Sequence, residues 1–147
     1  MEAKARGIAG AVCLALALIT SVSTARGENA KAVVIGEVGT RVTRARLDLP
    51  KALRRALERE LATLDVGAKA SSKRFVLSAS LVKLEARKTA PGVACTVSAV
   101  LREQGSGAIR AIITGKAEAE FDGDEAELGA VDAAVRGAVS SVPAAMR

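Results

Sequence analysis

Between Arg74 and Phe121 apolar and polar residues alternate through three successive segments, and nothing else in the chain restricts its fold as strongly. A period of two belongs to an extended strand, whose successive side chains point to opposite faces. In the first segment, Arg74 to Glu85, Phe75, Leu77, Ala79 and Leu81 share one face, with Ser78, Ser80 and Val82 on the other. In the second, Val93 to Leu101, the apolar face is Val93, Cys95, Val97, Ala99 and Leu101, against Thr96, Ser98 and Arg102. The third, Ala108 to Phe121, sets Ile113, Ala117, Ala119 and Phe121 against Lys116, Glu118 and Glu120. Pro91-Gly92 marks the first connection, and Gln104-Gly105-Ser106-Gly107 reads as a hairpin loop. One face buried and one solvated is the signature of an antiparallel meander, and such a sheet needs a cover for its apolar side.

Two amphipathic helices can supply that cover. Asp48 is placed to cap the first, and Pro50 suits its first turn, where a missing N–H is harmless. Leu49, Leu53, Ala56, Leu57, Leu61 and Leu64 recur at three- and four-residue spacing to form its apolar stripe. Arg54 and Glu58 can pair at i,i+4. Gly67 is a natural stop, and Ala68 to Ser72 reads as loop. The second helix is expected from Asp124 to Val142, with acidic residues favouring its N-terminal dipole and Pro143 closing it. Its apolar face comprises Leu128, Val131, Val135, Ala138, Val139 and Val142. A β-branched run, Ala32 to Val38, supplies a first strand; Gly36 and Gly39 suggest a bend leading out of it, and Arg41 to Leu47 extends the strand or lines a loop. The expected fold class is therefore α+β, in the order β-α-β-β-β-α, an antiparallel sheet with two helices packed on one face.

Ahead of this domain, Lys4 and Arg6 precede an uncharged run of twelve residues, Ile8 to Ile19, and Ser23-Thr24-Ala25 then offers small residues at a peptidase site. This is the pattern of a secretory signal peptide cleaved after Ala25. The run is short for a membrane span, although an uncleaved anchor is the competing reading. Cys13 lies inside the apolar run, where lipidation would require it to follow, so it is expected to leave with the leader. The expected organisation is a signal peptide at 1–25 and a single α+β domain at 26–147, periplasmic or secreted. Cys95 is then the one cysteine of the mature chain and cannot form an internal disulfide; its place on an apolar face favours a buried thiol over an intermolecular bridge.

The 147 residues carry a formal charge of +6, unevenly placed. Arg41 to Arg59 holds seven basic residues against Asp48 and Glu58, whereas Glu118 to Asp132 holds seven acidic residues and no basic one. Arg41, Arg44, Arg46, Lys51, Arg54 and Arg55 are the candidate contacts for a partner or an anionic surface, the alternative being an ordinary solvated face. Nucleic acid is disfavoured: single-strand binders stack bases on aromatic rings, and here the aromatics are Phe75 and Phe121.

Enzyme chemistry has few footholds. The absence of histidine removes Ser-His-Asp and Cys-His systems and His-bearing zinc sites. Ser80-Leu81-Val82-Lys83 has SxxK spacing, but that motif needs a helix, and on a strand Ser80 and Lys83 point to opposite faces. The glycine turns at Gly36-Glu37-Val38-Gly39 and Gly105-Ser106-Gly107 lack the spacing of phosphate-binding loops. Asp122, Asp124, Glu125 and Glu127 cluster between the last strand and last helix, where capping is the first reading and weak calcium binding the second; EF-hand spacing is missing. No cofactor, metal or catalytic residue is assigned, and a non-enzyme is expected.

The Leu-rich helix LRRALEREL, the strand FVLSASLVKLE, the paired strands VSAVLREQGSGAIRAIITGKAEAE and the closing Ala/Val helix together resemble small bacterial envelope domains. The type is that of curli-secretion CsgG, the penicillin-binding-protein activator LpoB and the TolB amino-terminal domain. The likeness spans about Ala32 to Val142 and implies a periplasmic interaction or assembly module that binds an envelope protein. It is a pattern of elements, and no functional residue transfers with it. The alternative partner is an anionic envelope polymer or lipid headgroup at the 41–59 stretch.

Overall fold

A computed structural model describes residues 32–64 and 73–147. The expected leader, its cleavage site and the Gly67 stop with its following loop lie outside the described residues. Among the described residues four strands and three helices follow one another: β1 (Val33–Thr40), α1 (Leu49–Thr63), β2 (Phe75–Ala86), β3 (Val93–Glu103), β4 (Ile109–Ala119), α2 (Asp124–Val139) and the short α3 (Val142–Ala145). The strands form one sheet in the order β1-β2-β3-β4.

The architecture is α+β as expected, but the sheet is mixed. β2–β3 and β3–β4 are antiparallel, whereas β1 runs parallel to β2, with Val33 opposite Phe75 and Thr40 opposite Leu81. The physical reason is the connection. A hairpin reverses the chain, but α1 carries it back along the sheet, so β2 starts at the end where β1 started.

The sequence patterns account for most elements. Asp48 caps α1 by accepting the Lys51 N–H at 3.1 Å, and Pro50 sits in its first turn. Leu49, Leu53, Ala56 and Leu57 are buried against the sheet. Beneath them lie Phe75, Leu77, Leu81, Val97 and Leu101, every one fully buried. α1 packs chiefly against α2 and, within the sheet, on β1, while α2 covers β4 and β3.

Three local expectations are corrected. A register shift between Leu81 and Lys83 inserts an extra residue in β2, so Leu84 rather than Lys83 joins the core opposite Cys95. Phe121 lies beyond the end of β4 and is 75% exposed, because the strand stops at Ala119 before the alternation reaches it. The last helix breaks at Ser140-Ser141; Pro143 does not close it but occupies the first turn of α3, where Val142 is buried. The Arg41–Leu47 stretch is loop with one isolated bridge, Arg44 to Leu47.

Gly115 decides how closely α2 approaches. A Cβ there would overlap the Ala134 carbonyl oxygen and stand 2.9 Å from its carbon and 3.0 Å from Ala138 Cβ. The helix backbone therefore rests directly on β4, which only glycine permits.

Candidate functional site

The basic and acidic stretches meet each other. Arg44 Nε donates to Glu127 Oε1 at 3.1 Å, and its Nη2 donates to the Leu84 carbonyl at 2.6 Å. Arg59 Nη2 donates to Asp132 Oδ1 at 2.8 Å, and Arg136 Nε to Glu60 Oε1 at 3.4 Å. The uneven charge is thus partly spent on clamping the loop before α1, and α1 itself, onto α2. Arg54 reaches the Gly36 carbonyl at 3.5 Å rather than Glu58. Arg41 leaves the group altogether: its N–H donates to the Leu81 carbonyl, and it borders the opposite face of the sheet. Arg46, Lys51 and Arg55 are exposed and form no ion pair among the described residues. The six candidates do not form one patch.

The expected capping by the acidic cluster is not found, since the N-cap of α2 is Gly123 with no side-chain cap bond, but two of the four carboxylates are engaged elsewhere. Asp122 Oδ1 accepts the Gly92 N–H at 2.9 Å, and Glu127, whose side chain is 17% exposed, holds Arg44. Among the described residues no group of acidic or sulfur ligands gathers around a metal position. Cys95 is 1% exposed in the core, and burial raises its thiol pKa from 9.0 to about 11, which keeps it protonated and unreactive. The strand bulge overturns one expectation here: Ser80 lies opposite Ser98 and Lys83 opposite Thr96, so both share the open face. Lys83 Nζ nevertheless pairs with Glu85 at 3.1 Å, and both residues sit on a strand, so no Ser–Lys dyad results.

The sheet face away from the helices is the more distinctive surface. Cross-strand rows run Val34–Val76–Arg102–Ile109, then Ser78–Val100–Ile112, then Gly39–Ser80–Ser98–Thr114, then Lys83–Thr96–Lys116. Valines and isoleucines occupy one end, hydroxyls the middle and lysines the other end. Of the five exposed large hydrophobic residues among the described ones, four lie here: Val34, Val82, Ile109 at 56% exposure and Ile112 at 70%. The middle rows floor a concavity of about 870 Å³ bordered by Glu37, Arg41, Val82 and Thr114. A Cβ on Gly36 would come 2.6 Å from Ser78 Oγ and from Val76 Cγ1, so a side chain there would crowd this face. The concavity lies open across the strands, unlike a small-molecule pocket, which encloses most of its ligand's surface.

Sequence reading placed Ser78, Ser80 and Val82 on this face but did not single out Val76, Val100 or Ile112. The available signal was an apolar β-branched residue at a position whose same-face neighbours are Ser or Thr, as with Val100 beside Ser98.

No protein-family model and no curated protein matches the chain. Solved structures do. The hypothetical protein CT253 from Chlamydia trachomatis is 12% identical over 78% of this chain and 96% of that one, with a TM-score of 0.58. A proposed lipoprotein from Caulobacter crescentus CB15 aligns at 13% identity over 78% and 85%, with a TM-score of 0.44. Protein XCC0632 from Xanthomonas campestris, of family DUF330, aligns at 12% identity over 76% and 78%, with a TM-score of 0.46. Only the first of these three exceeds 0.5, and the likeness is one of fold. The CsgG, LpoB or TolB type expected from the sequence is not supported by these likenesses, and what stands is the small α+β fold. No described helix is long and apolar enough to cross a membrane.

Proposed function

We propose that this chain is an exported, non-enzymatic envelope module that binds a partner protein through the open face of its sheet. The observation that carries the reading is the clustering of exposed Val34, Ile109 and Ile112 with half-buried Val76 and Val100 at one end of the face opposite the helices. Apolar side chains gathered on a face that no described helix covers mark an interaction surface. Export rests on the Lys4/Arg6, Ile8–Ile19 and Ala25 pattern of the sequence. The test is site-specific photocrosslinking from position 100 or 112 in envelope preparations, repeated with Val76→Lys as competitor-defective control. A discrete crosslinked partner lost in the variant supports the reading; identical adducts from an α1 position such as Arg55 would sink it.

A second reading has its own observation. Lys51 and Arg55 are spaced i,i+4 on the exposed side of α1, with Arg46 in the loop before it, and none has an ion pair among the described residues. These three could meet an anionic polymer or lipid headgroup. Arg44 does not belong in that set, since reversing it would break its bond to Glu127. Binding of anionic vesicles that falls steeply with salt and disappears in Arg46→Glu/Lys51→Glu/Arg55→Glu would favour this reading. Binding unchanged in that variant would remove it.

A further inference from the structure

The open face of the sheet carries positive charge that its own carboxylates do not neutralise. Lys83 there pairs with Glu85, and Glu118 with Arg87. Arg41, Arg74, Arg102, Arg110 and Lys116 are exposed and enter no ion pair among the described residues, and Glu37 is the carboxylate left to answer them. Three of these arginines stand at the apolar end. Arg102 lies between Val76 and Ile109 in its cross-strand row. The Arg74 carbonyl accepts the Gln104 N–H at 2.8 Å, which extends the β2–β3 ladder and places Arg74 two positions before Val76, on the same face. Arg110, two positions before Ile112, is the extra residue of a bulge in β4, since Ile109 faces Arg102 while Ala111 faces Leu101. Val34, Val76, Val100, Ile109 and Ile112 are thus bordered by three guanidinium groups.

We propose that the occupant of this face is a segment of another protein in which large apolar side chains are flanked by carboxylates. The inference rests on the reading of the open face as a partner-binding surface and adds the partner's chemistry. The partner's apolar side chains seat on Val76, Val100 and Ile112, and its carboxylates meet Arg74, Arg102 and Arg110. Arginine suits that task because its planar fork of donors grips a carboxylate through two parallel hydrogen bonds and is weakly hydrated when free. It is also enriched at protein interfaces, where lysine is depleted. The apolar contacts supply affinity, and the charges select which apolar segments are admitted.

Other occupants fit the face less well. A second copy docked face to face would set arginines against arginines, and like charges brought together at an interface are costly. A bilayer surface is too broad to enter the concavity of about 870 Å³, and covering it would cut the hydroxyls of Ser78, Ser80 and Ser98 off from water without giving them partners. A protein segment brings backbone N–H and C=O groups that those hydroxyls can bond. An anionic polymer answers the arginines but leaves Ile109 and Ile112 in water.

The test is fluorescence anisotropy of a labelled, end-capped peptide, Glu-Glu-Ile-Phe-Glu-Glu, titrated with the full chain, while far-UV circular dichroism checks each variant's fold. The peptide should bind with a dissociation constant below about 1 mM. Arg102→Glu/Arg110→Glu should weaken it by about tenfold or more, as should raising the salt from about 0.05 to 0.5 M. Lys51→Glu/Arg55→Glu on α1 changes the net charge equally and should leave the affinity near wild type. Exchanging the peptide's Ile-Phe for Ser-Ser should also weaken binding. No binding up to about 1 mM overturns the proposal, as does an equal loss in the α1 variant or none with the Ser-Ser peptide. Phosphatidylglycerol vesicles that displace the peptide through Arg102 and Arg110 would make a lipid surface the occupant and overturn it too. So would wild-type self-association in sedimentation velocity that the Arg102→Glu/Arg110→Glu variant abolishes, which would seat a second copy. A partner crosslinked from position 112 as strongly in that variant as in the wild type keeps the open-face reading and overturns this inference alone.

Discussion

Replacing Gly115 by alanine adds a single methyl group to the middle of β4, and the surroundings leave it nowhere to go. Its Cβ would overlap the Ala134 carbonyl oxygen and crowd Ala138 Cβ at 3.0 Å. A side-chain obstacle could rotate aside, but the carbonyl is part of the α2 backbone and moves only with the helix. α2 must therefore lift by roughly 1 Å, and a gap of that size already forfeits between a quarter and a half of each dispersion contact across it. Six residues share the loss: Ala130, Val131, Ala134, Val135, Ala138 and Val139, all buried at 2% exposure or less. Overpacking commonly costs about 1–3 kcal/mol, and the rigid obstacle places this case near about 3 kcal/mol. Set against a total stability of about 5–15 kcal/mol, that should lower the melting temperature by roughly 10–12 °C for a chain of this length. Far-UV circular dichroism is the suitable readout, because the chain contains neither tryptophan nor tyrosine. Gly129→Ala is the matched control: it lies in α2, is exposed, and has nothing within 4 Å of its Cβ. The same substitution there should stabilise by about 0.4–1 kcal/mol through helix propensity and unfolded-state entropy. A Gly115→Ala protein as stable as the wild type, or a Gly129→Ala loss of similar size, would refute the reasoning.

Three further outcomes are expected. Stability should decline as pH rises from 9 toward 11, because the buried Cys95 holds its proton to about 11 while the unfolded thiol releases it near 9.0. The folded state then binds more protons in that window, so unfolding is favoured by up to about 3 kcal/mol, and Cys95→Ala should flatten the urea-midpoint curve above pH 9. Arg44→Ala should destabilise by about 2 kcal/mol, since it strands a mostly buried Glu127 carboxylate and frees the Leu84 carbonyl. Adding Glu127→Ala should recover part of that loss in a double-mutant cycle, and strict additivity would show that the pair does not couple. Asp48→Ala should cost about 1 kcal/mol by leaving the Lys51 N–H uncapped, measured by chemical denaturation. Asp48→Asn should keep most of that stability if capping, not charge, is the cause.

Local periodicity carried much of this protein by itself. The spacing of Leu49, Leu53 and Leu57 identified the buried face of α1, the alternation around Val97 identified the core side of β3, and Asp48 with Pro50 placed a helix start. These features depend on backbone torsion and on which side meets water, and both are written within a few residues. The sequence also placed Cys95 correctly, because its burial follows from the parity of its neighbours. Other features were decided between segments far apart. The parallel β1–β2 pairing depends on where α1 returns the chain. The extra residue near Val82 shows only against β3, and it reverses which of Lys83 and Leu84 is buried. Arg44 finds Glu127 across 83 positions of sequence, turning an apparent surface patch into an internal clamp. Gly115 resembles any weak point in a strand until a helix backbone is laid on it. Pattern reports the preference of each segment. Only packing reports which segments meet, because many pairings satisfy the same local preferences and the contacts of the assembled core choose among them.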